Sequence, residues 1–178
     1  MLDRNANIAA AAARPHGLVR EGVVTGLIGA AAVAVWFLVV DTLGGRPLYT
    51  PALLGAVLAG NSDAATAAEG ASRLSYAALY SVVHLLAFAA LGVLATFLVH
   101  RAERTPALVA LLLMLFAAVE VSFIAFVALL EVQSIGEIAW YQVAIGNVIA
   151  ALVMGWYLIR NHPSVGAHFS GAYVPDDA

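Results

Sequence analysis

The chain has no cysteine and no lysine. The first absence excludes disulfides, thiolate nucleophiles, cysteine-ligated zinc and iron–sulfur clusters. The second leaves arginine as the only strong base, at eight positions among 178 residues. Charge of either sign is scarce: 11% of the residues are charged, against about a quarter in soluble domains. The net charge of −3 offers no dense basic patch, so nucleic acid is not expected as a partner. Also missing are a phosphate loop, a glycine-rich nucleotide fingerprint and a nucleophile elbow.

What remains is apolar. Hydrophobic residues make up 63% of the chain, and the mean hydropathy is +0.93. So little charge cannot coat a water-facing surface, which makes the lipid bilayer the expected solvent. The sequence therefore predicts an all-α integral membrane protein, with four transmembrane helices in an up-down bundle. Four stretches reach the roughly 20 residues needed to cross the hydrocarbon layer. They cover residues 22–42, 74–100, 106–132 and 135–160, forming one transmembrane domain over 22–160. A cytoplasmic arm, 1–21, precedes it and a cytoplasmic tail, 161–178, follows. The small residues Ala30 to Ala34 lie inside the first apolar run, so that run reads as an uncleaved span.

Local signals punctuate these helices. Thr105-Pro106 places a capping hydroxyl before a first-turn proline and opens the third span. Ser134 and Glu137 have capping-box spacing for the fourth, and Asn161-His162-Pro163 ends it. The turns around spans two to four are short, so these helices are expected to be antiparallel neighbours. The first outer loop, 43–73, is longer. Thr50-Pro51 opens an apolar stretch that Gly60-Asn61 closes, too short to span and read as an interfacial helix or one packed on the bundle. The Ala-, Ser- and Gly-rich segment 61–72 reads as mobile or ordered by a partner.

Arginine placement orients the bundle. Arg4, Arg14, Arg20, Arg101, Arg104 and Arg160 fall on one side, and Arg46 and Arg73 on the other. The positive-inside rule puts the richer side, with both termini, in the cytoplasm of a bacterial inner membrane. Tyr76, Tyr80, Trp140 and Tyr141 would then mark the outer interface, and Trp156 and Tyr157 the inner one.

Two sets of residues stand out. Small residues at four-residue spacing, Gly22, Gly26, Ala30 and Ala34 in span one and Ala151 and Gly155 after Asn147 in span four, suit close helix packing. The alternative use of such stripes is a dimer or partner contact. The second set is polar. Glu120, near the middle of span three, costs roughly 2.5–3.5 kcal/mol to insert as a charge, so it needs a partner or a proton. His84 and Asn147 fall near its depth on neighbouring spans, with Tyr80 and Glu131 above them and Tyr76 and Asp41 nearer the outer side. This cluster either fixes helix register through mutual hydrogen bonds or forms a proton-bearing or ligand-binding site.

Metal and cofactor chemistry is less favoured. Di-iron bundles use Glu-x-x-His, whereas Phe123 follows Glu120 at that spacing. His100 lies on the same helix as His84 at the opposite surface, so haem would require a histidine from another subunit. His16, His162 and His168 read as solvent-facing, and Ser122 and Thr25 as hydroxyls bonded to helix backbone. No metal, no cofactor and no catalytic residue is expected. The arm, outer loop and tail hold too little mass for a soluble catalytic domain. The sequence thus points to a small accessory or structural subunit of a larger complex, respiratory or photosynthetic, or else a homo-oligomer. Proton-coupled transport or small-ligand binding at the polar cluster is the alternative.

Overall fold

The computed structural model describes residues 15–102 and 140–162. All regular structure among them is helical: α1 (Pro15–Leu43), α2 (Tyr49–Leu58), α3 (Ala64–Glu69), α4 (Arg73–Ala102) and α5 (Trp140–Asn161). Three of these helices, over Gly17–Leu43, Arg73–Arg101 and Tyr141–Asn161, are long and apolar enough to cross a membrane. They correspond to expected spans one, two and four. The expected third span lies outside the described residues, as do Thr105, Pro106, Ser134 and Glu137.

α1 stands between α4 and α5 and runs antiparallel to both. Its start meets the end of α4 at Gly22 and Val93, and its later half meets the start of α5 at Trp36 and Gly146. α4 and α5 meet toward their final turns, where Val99 packs on Leu158. The three long helices therefore share one basic end, which carries Arg20, Arg101 and Arg160. There the Arg101 guanidinium lies over Phe97 and that of Arg160 over Trp156, at 5.1 and 5.3 Å.

The opposite end holds the loop. α1 closes through a turn in which Gly45 adopts a φ of +73°, open to glycine without a Cβ penalty. Leu48 is also left-handed, at φ 64°, a position that costs a side-chain-bearing residue roughly 1–3 kcal/mol. Neighbouring bonds hold it there. The buried Asp41 carboxylate accepts from the Thr50 backbone N–H at 2.8 Å and the Thr50 hydroxyl at 2.7 Å. This caps the first turn of α2 from a different helix.

α2 is packed on the bundle: Ala52, Leu53 and Ala56 are fully buried. Gly55 lets its backbone approach α4 so closely that a Cβ would overlap the Tyr76 carbonyl. Segment 61–72, expected to be mobile or partner-ordered, is instead ordered by its own chain. The Asp63 side chain caps α3 by accepting from the Thr66 N–H, while Ala64 and Ala68 complete the buried cluster around Leu53.

Candidate functional site

The expected polar cluster is placed in part. Glu120 and Glu131 lie outside the described residues. His84 is on α4, between Tyr80 and Phe88 one turn to either side; its ring stacks on Tyr80 at 5.4 Å and tilts against Phe88 at 4.6 Å. Nε2 lies 3.3 Å from the Ala30 carbonyl of α1, and Nδ1 lies 3.4 Å from the Tyr80 hydroxyl. A carbonyl only accepts, so Nε2 carries the proton and donates. Nδ1 is then free to accept from Tyr80. Both ring nitrogens of the neutral imidazole are thereby used, and one bond crosses from α4 to α1.

Asn147 is on α5 beside Gly146, level with Trp36 of α1. His84 is level with Ala30, six positions lower on the same helix. At 1.5 Å per residue the two side chains are offset by about 9 Å along α1, more than one turn. Asp41, expected above the cluster, is occupied by Thr50. Thr25 donates to the Glu21 carbonyl at 2.8 Å, as a helix hydroxyl bonded to its own backbone. Ser122 lies outside the described residues.

The small-residue stripes divide along their length. Gly22 and Gly26 face α4, where a Cβ on either would overlap the Val93 or Phe88 backbone, and Gly92 receives them from the other side. Ala30 is buried there too, but Ala34 is exposed. On α5 the face turned to α1 carries Gly146, Ala150 and Met154, and Leu158 continues it toward Val99. Ala151 is half-buried, and a Cβ on Gly155 would meet nothing among the described residues. Met154 fills the hollow above Gly29, and Trp36 donates its indole N–H to the Gln142 carbonyl at 2.8 Å.

A second polar group sits at the basic end. His162, expected to face solvent, is buried, and its Nε2 lies 3.0 Å from Glu21 Oε1. The Asn161 amide donates to the same carboxylate oxygen at 3.4 Å. His100 meets His162 edge-on with centroids 4.5 Å apart, and its Nδ1 lies 2.9 Å from the Thr96 carbonyl. The fully buried Thr96 hydroxyl has no hydrogen-bond partner among the described residues. An open cleft flanks the group, lined by Gly17, Arg20 and Tyr157 together with Glu21, Asn161 and His162. The sequence held one usable hint of this group: acid and imidazole residues at matching ends of the apolar runs.

In class, this is an all-helical fold among the described residues, with three apolar helices compatible with a membrane protein. No protein-family model matches the chain, and neither the curated proteins nor the solved structures yield a significant match.

Proposed function

We propose that the chain is a polytopic protein of the bacterial inner membrane and a small accessory or structural subunit of a larger complex, respiratory or photosynthetic. One observation carries this reading: among the described residues, the long helices bury only a small share of their apolar surface. The buried share of the most apolar window is 28% for α1, 17% for α4 and 22% for α5. Leu86, Leu152 and Val35 are among the large apolar side chains turned outward. Such surface is stable against lipid or against apolar helices of other subunits. The gathering of Arg20, Arg101 and Arg160 at one end supports a cytoplasmic position for that end. Gentle solubilisation of native membranes and purification through a C-terminal tag tests the reading. Stoichiometric companion subunits are expected; migration only as a free monomer would sink it.

The alternative is proton-coupled transport or small-ligand binding around His84, Glu120 and Asn147. It is favoured by an ionisable ring within an apolar helix, since such groups tend to be functional. The complete use of both His84 nitrogens within the chain favours a structural role for that ring. Glu120→Gln separates the two: loss of a pH-linked flux with normal insertion supports transport, and a change in stability alone supports structure.

A further inference from the structure

Glu21, His100 and His162 come from three different helix ends, and neither functional reading uses them. One ligand atom from each lies within 4.8 Å of the others. We propose that these three side chains form a binding site for one divalent transition-metal ion of the zinc type, joining the basic ends of α1, α4 and α5.

The distances suit that role. Donors held at 2.0–2.2 Å from one ion in tetrahedral geometry stand roughly 3.3–3.5 Å apart, and closer where the angle narrows. Glu21 Oε1 and His162 Nε2 are 3.0 Å apart already. The third donor, from His100, lies within 4.8 Å of both, so a side-chain adjustment is needed to bring it into that range. His100 is pre-set for the task. Its Nδ1 donates to the Thr96 carbonyl, which leaves the Nε2 lone pair for an ion. Metal-binding histidines are oriented in this way, by a backbone or carboxylate acceptor on the second nitrogen.

The donor set selects the ion. Two imidazoles and a carboxylate suit zinc and neighbouring first-row metals, whereas magnesium and calcium prefer oxygen throughout. Three protein ligands leave a fourth position, and the cleft beside Glu21 and His162 has room for water or an anion there. The same contacts could serve as a simple ion pair between Glu21 and His162. His100 distinguishes the two roles, because a Glu21–His162 pair does not need it.

The test uses the full chain, purified in detergent without a histidine tag and stripped with chelator. Zinc binding is followed by calorimetry, and cobalt binding by its visible absorption. One ion per chain is expected, with zinc displacing the cobalt spectrum and raising Tm. His100→Ala should weaken zinc binding at least about tenfold, the low end of what loss of a mere supporting partner costs. The metal-free variant should lose some Tm through the missing ring contact with His162, so the zinc-induced rise in Tm, measured from each protein's own metal-free value, is the quantity compared. The His16→Ala/His168→Ala double variant should bind as wild type. Failure of the wild-type chain to bind zinc at micromolar concentration overturns the site. So does binding unaltered by His100→Ala, or binding abolished in the His16/His168 variant.

Discussion

The two seams of α1 are built on opposite principles. Against α4 the contact is backbone to backbone: Gly22, Gly26 and Gly92 leave no room for any side chain. Against α5 the contact is made by side chains, with Met154 seated over Gly29 and Trp36 reaching the Gln142 carbonyl. Where lipid is the solvent, water supplies no drive to bring helices together, so packing and interhelical hydrogen bonds must do so. The first seam gains dispersion contacts by removing bulk, and the second by filling space. The first should therefore be brittle and the second forgiving.

The largest effect is expected from Gly26→Leu. The new side chain must displace the α4 backbone, and overpacking of this kind costs about 3 kcal/mol or more when the obstacle cannot rotate away. Loss of the monodisperse folded fraction in size-exclusion chromatography is the expected readout, and a Tm within a degree or two of wild type would refute the brittle seam. Trp36→Phe, on the other seam, removes one hydrogen bond while keeping most of the ring. A loss of about 0.5–1.5 kcal/mol is expected, measured by unfolding in graded denaturing detergent. Gly155→Ala should have the smallest effect and the opposite sign. Its Cβ enters open space among the described residues, and alanine exceeds glycine in helix propensity by about 1 kcal/mol. A clear loss of stability there would mean that a further helix packs on that face.

The seam of α1 with α4 leaves a mark in the sequence and the seam with α5 leaves little, for a physical reason. Gly22, Gly26 and Ala30 were legible because close backbone approach admits only small residues, which leaves a pattern of absences. On α5 the same rule selected Asn147, Ala151 and Gly155, whereas α1 meets Gly146, Ala150 and Met154. The two faces differ by a single residue, about 100° of rotation. A flexible methionine filling a hollow leaves no such pattern, since it resembles any apolar residue in a span. The packing of α2 was half legible, through its short apolar length, but its remote cap by Asp41 was not. At the basic end, Glu21 and His162 are 141 positions apart, and only the antiparallel meeting of α1 and α5 unites them. His84 was legible as a polar group inside an apolar span and is half-buried, but its partner on α1 is a backbone carbonyl, which every residue possesses.

The central place of α1 also has a consequence in time. Because it is synthesised first, its glycine-lined groove exists before α4 has been made. If the chain assembles in a bilayer, acyl chains or a helper protein occupy that groove until then, and the arriving helix must evict the occupant. Assembly of this protein is thus an exchange reaction at a ready-made slot, with a rate that should depend on what fills the slot beforehand.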